Sequence, residues 1–358
     1  YTRDFQARKS VFAFGKRLVC IGTGISNSNV NYPTETTLYQ QTINTTADRM
    51  SVNGTFYDAT GYSFDTQIPV YSTVVSDLSG NYYRVASQSR VIVEGKEQVS
   101  KHNKTRAETR GNFITARIDH GKNPAGAAYE YMIMLRPTPV EQRRWSNDPG
   151  YRVLQADNQA HVVRDTIGGV TAYVSFEVAS FSSGLVRSVD AETLLMFKYQ
   201  DDSNIILSVC DPSLRLPVKT NNSDNTTLEG VAVTREILLD GNWQLKQANS
   251  KVNVSQQNNQ TVLSVTCQLG IPVEFELKKL ETSVKNILNS DLKIITRDNH
   301  IEINGLTAAV SVFDITGKLL AFKNNLSEKK IFFLNEGKLY MLLAYLPDNS
   351  MLTHKFYL

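Results

Sequence analysis

Lys9-Ser10-Val11-Phe12-Ala13-Phe14-Gly15-Lys16-Arg17-Leu18-Val19-Cys20-Ile21 reads as two strands about a tight turn. Gly15 stands at the first position of a two-residue loop, where a type II′ hairpin needs positive φ. The pattern recurs along the chain. Residues 161–164 and 170–176 flank Gly168-Gly169, and residues 193–199 and 204–209 flank Asp201-Asp202-Ser203. Residues 231–239 and 243–248 are joined by Asp240-Gly241-Asn242, and residues 261–268 and 272–278 close this region. Tyr129-Glu130-Tyr131-Met132-Ile133-Met134-Leu135 is nearly continuous in apolar residues, which predicts a strand buried on both faces. Short strands at regular spacing argue for antiparallel sandwiches and against βαβ units. Helical signals are few: residues 281–288 have helical composition but fall where a linker is expected.

The chain has 358 residues, enough for two or three domains. Apolar residues make up 41% and charged residues 20%, a globular balance that excludes disorder. No apolar run approaches the ~18–20 residues of a transmembrane helix. The start, Tyr1-Thr2-Arg3-Asp4-Phe5, has neither an initiator Met nor signal-peptide character. It reads as a piece of a longer chain with any targeting signal upstream. Net charge is +3, which permits an acidic ligand without demanding one, and nothing points to nucleic acid. Cys20, Cys210 and Cys267 form no disulfide framework and have no zinc spacing. Cys20, inside Leu18-Val19-Cys20-Ile21, is expected as a buried thiol; spacing does not support a Cys210–Cys267 bridge. Asn-x-Ser/Thr sequons at Asn44, Asn53, Asn103, Asn221, Asn225, Asn253, Asn259 and Asn325 are read as an Asn/Thr-rich surface.

No zincin, nucleophile-elbow, Walker or dinucleotide motif occurs, so no cofactor is expected. No metal ligand set stands out, which leaves a structural divalent cation open. Four features remain. Glu35 lies in Asn31-Tyr32-Pro33-Thr34-Glu35-Thr36-Thr37-Leu38-Tyr39-Gln40, a carboxylate among hydroxyls and aromatics at a strand start. Residues 84–110 carry seven cations against three acids, a net +4, with Lys101, Lys104 and Arg106 in a loop suited to a polyanion. His120, in Asp119-His120-Gly121, reads as a turn residue whose ring bonds the backbone. Arg143-Arg144-Trp145 suits either stacking on sugar rings or a core Trp at a domain edge.

The hairpin quoted first, with Tyr32-Pro33-Thr34-Glu35-Thr36-Thr37-Leu38-Tyr39-Gln40, resembles the β-domain of chondroitin sulfate ABC lyases in polysaccharide lyase family 8. Asp119-His120-Gly121 with Tyr129-Glu130-Tyr131-Met132 is similar to a later strand of that family. The resemblance spans roughly residues 1–278. It implies an all-β chain: a galactose-mutarotase-like super-sandwich at residues 1–184, with its first part upstream, and a small lyase C-terminal sandwich at 185–280. It also implies β-elimination at uronates of glycosaminoglycans (chondroitin, dermatan sulfate, hyaluronan). The family's Tyr base, His or Asn, and Arg sit on an α/α-toroid, expected upstream in the same protein. Only the Glu of the Glu-Thr-Thr motif carries over, onto Glu35 as the catalytic-site residue. Lys101, Lys104, Arg106 and Arg144 are then candidate contacts to the acidic polysaccharide.

Residues 281–358 show about seven short strands, a complete small sandwich. Val312-Phe313-Asp314-Ile315-Thr316-Gly317-Lys318-Leu319-Leu320 resembles type IX secretion C-terminal sorting domains, with an immunoglobulin-like spacer as the alternative. The expected location is secreted, periplasmic or cell-surface. The expected function is the β portion of a lyase, inactive alone; the alternative is a non-catalytic carbohydrate-binding or adhesin-type sandwich.

Overall fold

The structure, a computed structural model, describes residues 5–66, 71–216, 230–280, 293–297, 300–307, 309–324, 327–335, 338–345 and 351–357. The 281–288 segment and the sequons Asn221, Asn225 and Asn325 lie outside the described residues. The chain divides into two compact units, Tyr1–Lys279 and Leu280–Leu358.

Among the described residues, the first unit holds four antiparallel sheets. Sheet I orders its strands Gln6–Phe14, Arg17–Ser26, Ala127–Met134, Tyr82–Val85, Thr73–Ser76, Arg49–Val52 and Thr55–Asp58. Sheet II runs Pro33–Thr42, Glu108–Lys122, Arg90–Lys101 and Ser63–Asp65. Sheet III runs Tyr151–Ala156, Ala160–Asp165, Val170–Ser175, Thr193–Tyr199, Asn204–Cys210, Val273–Lys279 and Trp243–Leu245. Sheet IV runs Ala179–Ser180, Val186–Val189, Val233–Asp240, Gln260–Cys267 and Val252–Gln257.

Strand alternation makes these sheets a stack. Cys20 joins the core shared with sheet II, while its neighbours Val19 and Ile21 join the core shared with sheet III. In sheet III, Val163 and Ala172 face sheet I, while Val162 and Tyr173 face sheet IV. The layer order is therefore II–I–III–IV. Sheets I and III are covered on both faces, so their central strands read as unbroken apolar runs. Phe12, Phe14, Val19, Ile21, Met132 and Met134 from sheet I supply most of the middle layer. Removing this apolar layer from water is favourable and holds the two sandwiches together as one unit.

Polar contacts pin the same joint. Arg17 and Asp165 form a buried ion pair at 2.7 Å, and Arg17 also donates to the carbonyls of Pro149 and Gly150. Its guanidinium lies 5.6 Å from the Trp145 ring. His161 is fully buried, with Ser10 Oγ at 2.7 Å from Nδ1 and Thr23 Oγ1 at 3.0 Å from Nε2. Thr23 Oγ1 donates to the Asp157 carbonyl, so it accepts from Nε2–H, and Nδ1 accepts from Ser10.

Three expectations change. The 184/185 boundary falls inside the second sandwich: Val170–Ser175 pairs with Thr193–Tyr199 across it. The Ser/Gly-rich stretch at residues 180–188 is a hairpin inside sheet IV, where Ala179 and Ser180 pair with Val189 and Ser188, and its loop buries Phe181 and Leu185. Asp240-Gly241-Asn242 is no hairpin turn either. Val233–Asp240 pairs within sheet IV, and Trp243–Leu245 pairs with Val273–Lys279 in sheet III. Third, a helix, Pro139–Asn147, links the sandwiches and holds Arg143-Arg144-Trp145. Its signal was in the sequence: Thr138-Pro139-x-Glu141 is a capping box with Pro in the first turn, and both box hydrogen bonds form.

The second unit has a sheet of Lys293–Arg297, His300–Thr307 and Ser327–Phe333, and a sheet of Leu319–Lys323, Ala309–Asp314, Leu339–Tyr345 and Met351–Tyr357. Ile301, Ile303, Val310, Val312, Leu342 and Phe356 are among its core residues. Asp314 closes the turn before Leu319 by accepting from the backbone of Thr316 and Lys318.

Candidate functional site

Sheet II is an outer layer, so one of its faces looks away from the core. Alternation along Pro33–Thr42 turns Thr34, Thr36 and Leu38 inward and leaves Glu35 and Thr37 exposed. Asp119 stands opposite Glu35, and Arg117 stands opposite Thr37. Arg117 Nε donates to Glu35 Oε1 at 2.7 Å, and its Nη2 reaches Glu94 Oε2 at 2.9 Å. Lys96 completes the row, 3.0 Å from Glu94. Burial works against the Arg117 charge, but the bonds from Glu94 and Glu35 outweigh it and raise its pKa. The Lys96 bond, with help from Arg117, lowers that of Glu94. Exposed ion pairs contribute at most about 1 kcal/mol, so the row fixes direction more than it stabilises. Among the described residues, Glu35 Oε2 has no partner. Glu35 is thus a carboxylate held by one oxygen, with the other open to a group arriving from outside.

Behind Glu35, Thr36 points inward. Its Oγ1 lies 2.8 Å from His120 Nε2. The ring of His120 therefore meets a side-chain hydroxyl, not the backbone bond expected for a turn residue. Burial lowers the His120 pKa, so the ring is neutral near pH 7.

The basic segment is mostly neutralised. Arg90 pairs with Asp65 and Asp119, Lys96 with Glu94, and Arg110 with Glu97 and Glu108. Besides half-buried Arg84, what remains is the exposed hairpin tip with Lys101, Lys104 and Arg106, which form no ion pair among the described residues. That tip is far from Glu35. Glu108 pairs with Lys101 and Asp119 with Glu35, about 11 residues apart on one strand, or about 35 Å. Arg144 is exposed on the inter-sandwich helix, and neighbouring Trp145 is buried against Arg17, which decides for the core reading. The four candidate substrate cations and Glu35 therefore do not converge on one site. Arg117 was missed by sequence reasoning. Only its outward position in Ile114-Thr115-Ala116-Arg117-Ile118-Asp119 marked it, and alternation alone does not name a cross-strand partner.

The three cysteines are free thiols, Cys20 and Cys267 buried. Among the described residues there is no group of three or more His, Cys, Asp or Glu suited to a metal ion. No helix of the described residues is long and apolar enough to cross a membrane.

Residues 1–142 match the family described as polysaccharide lyase family 8, super-sandwich domain. The chain thus carries a family-8 lyase-like β portion. It is 33% identical over 284 residues to the chondroitin sulfate ABC endolyase of Proteus vulgaris, covering 77% of this chain and 26% of that protein. It is 28% identical over 297 residues to the chondroitin sulfate ABC exolyase of Bacteroides thetaiotaomicron, covering 78% and 28%. The chain spans about a quarter of the length of these relatives. Among solved structures it is similar to a Paenibacillus xanthan lyase, with TM-score 0.61 and 17% identity over 98% of this chain and 38% of that one. It is also similar to the Streptomyces coelicolor chondroitin AC lyase in complex with chondroitin sulphate, with TM-score 0.55 and 19% identity over 77% and 33%. At these identities the structures speak for the fold, an antiparallel all-β super-sandwich.

Proposed function

We propose that this chain is the β portion of a glycosaminoglycan lyase that cleaves by β-elimination at uronates, and that Glu35 is its contribution to the catalytic site. The observation that carries the reading is the half-open Glu35 carboxylate, anchored by Arg117 on an outer sheet face. Removing the proton at C5 of a uronate puts negative charge on an enolate beside the carboxylate. Donors must already be in position for it. Oε2 of Glu35 can accept from an Arg or Tyr of an upstream toroid and fix it across the cleft. The donor then acts without reorganising during proton transfer. Breaking the bond at C4 leaves a 4,5-unsaturated uronate.

The chondroitin lyases among the relatives support an acidic glycosaminoglycan as the partner. Lys101, Lys104 and Arg106 then suit a distant stretch of the polymer, away from the reacting sugar. The seven-strand unit that follows, with its Asp314–Lys318 turn, supports a sorting domain for export to the periplasm, cell surface or medium.

The test uses the longer protein with its upstream region, and this chain in parallel, on chondroitin sulfate, dermatan sulfate and hyaluronan. Absorbance of the unsaturated uronate is the readout. The longer protein should turn over and this chain should not. Glu35→Gln should cost about 100-fold or more in kcat with folding intact. Near-normal turnover by that variant sinks the role of Glu35. Rapid turnover by this chain alone sinks the division of labour. If neither protein forms product, the non-catalytic carbohydrate-binding alternative stands.

A further inference from the structure

A concave surface lies away from Glu35, where the inter-sandwich helix meets the edge region of sheet I. The cleft is about 870 Å³ in volume, within the range of roughly 300–1,000 Å³ that holds small ligands. Its lining includes Asn53, Tyr71, Arg84, Gln142, Arg143 and Asn147, and among the described residues no carboxylate lines it. Arg84 is half-buried, and its Nε donates to the Ser146 carbonyl at 3.1 Å, which ties the helix to the Tyr82–Val85 strand. Arg143 is exposed and makes no ion pair among the described residues. Tyr71 presents its ring to solvent, 84% exposed.

The local structure explains why these groups face one way. The capping box fixes where the helix starts, and buried Trp145 fixes its rotation. At about 100° per residue, Gln142, Arg143, Ser146 and Asn147 then share a face, and Arg144 points off it. Arg8, Arg17, Arg49, Arg90, Arg110 and Arg117 each pair with a carboxylate, whereas Arg84 and Arg143 in this cleft form no ion pair among the described residues. Two guanidiniums offer forked donors to a sulfate or carboxylate. Amides beside them match sugar hydroxyls, and an exposed aromatic ring gives a flat apolar face for a pyranose.

We propose that this cleft is an auxiliary binding site for an acidic oligosaccharide, with Arg143 and Arg84 on its anionic groups and Tyr71 against a ring. The acidic, hydroxyl-rich character of the ligand follows from the lining. That it is a glycan segment of a glycosaminoglycan rests on the lyase reading above. Such a site holds a polymer at a second point, so that a cut chain stays attached.

The test is binding of defined hexasaccharides to the 358-residue chain by calorimetry. Chondroitin sulfate and hyaluronan hexasaccharides separate sulfate from carboxylate recognition, and polyphosphate of similar length serves as the sugar-free polyanion. Arg143→Glu should weaken hexasaccharide binding at least tenfold. Arg144→Glu makes the same charge change one residue away, off the cleft face, and should weaken it less than threefold. Tyr71→Ala should cost several-fold, and thermal melts check that each variant folds. Equal losses for Arg143→Glu and Arg144→Glu, or equal binding of polyphosphate, overturn the proposal in favour of bulk charge. So does wild-type affinity in Arg143→Glu. Turnover lost in Glu35→Gln of the longer protein, with binding indifferent to Arg143, leaves the lyase reading standing and the cleft refuted. Arg143-dependent binding without turnover by the longer protein does the reverse.

Discussion

Acidification should loosen the joint between the two sandwiches of the first unit, through His161. The ring is fully buried between sheets I and III, and burial lowers its pKa to about 4 from an ordinary 6.5. The folded pKa is depressed, so the contribution to stability is fully present above pH 6.5. It is lost as the pH falls from 6.5 toward 4, because the unfolded chain takes a proton there that the folded chain refuses. At about 1.4 kcal/mol per pH unit, the loss reaches about 2.5 kcal/mol by pH 4.5. Carboxylates in ion pairs also respond to acid, so the measurement is a difference. Urea unfolding at pH 7 and pH 4.5 should show the wild type losing about 2.5 kcal/mol more than His161→Gln, which cannot titrate. His161→Gln itself should be less stable at pH 7, because Ser10 and Thr23 lose their ring partner. If that variant does not fold, the His161 ring signal by NMR serves instead. It should stay in the neutral form down to about pH 5. Equal pH slopes in the two proteins, or a ring that titrates near 6.5, would refute the reasoning.

Asp165→Asn should cost about 3 kcal/mol in urea unfolding, because it leaves the Arg17 charge buried without its partner; a loss under 1 kcal/mol would contradict that. Gly95→Ala should cost about 3 kcal/mol, since a Cβ there would stand 1.6 Å from the Ala59 carbonyl oxygen and the backbone would have to move. An unchanged thermal midpoint would mean the Ala59 segment can retreat freely. Arg117→Ala in the longer protein should lower kcat with KM nearly unchanged, because it removes only the group that aims Glu35, while Arg117→Lys should recover part of the rate. A change confined to KM would instead make Arg117 a substrate contact.

Legibility of the site differed from residue to residue. Glu35 was visible because it sits in a short, specific run of Thr, Leu and Tyr. Arg117 was not, because its partners come from strands 82 and 23 residues away, and pairing across a sheet leaves no local trace. The basic segment shows the opposite failure: seven cations in sequence looked like a surface field, yet Asp65 and Asp119, both outside it, neutralise Arg90. The tip at Lys101, Lys104 and Arg106 survives because a hairpin end has no neighbouring strand to supply acids.

By itself the sequence determined the strands, most of the hairpins and the all-β class. Those depend on alternation, β-branched runs and turn residues within a few positions of one another. Only the tertiary structure decided which sheet each strand joins. Asp240-Gly241-Asn242 has hairpin chemistry, yet the chain crosses there from sheet IV to sheet III. The Ser/Gly-rich stretch at residues 180–188, beside the expected 184/185 boundary, is a hairpin inside sheet IV, because Phe181 and Leu185 are buried in the shared core. A backbone hydrogen bond goes to whichever strand lies alongside, and that neighbour is chosen by burial of faces far apart in sequence. The same layering put Val19 and Cys20 into two different cores, and left the outer face of sheet II free to carry Glu35.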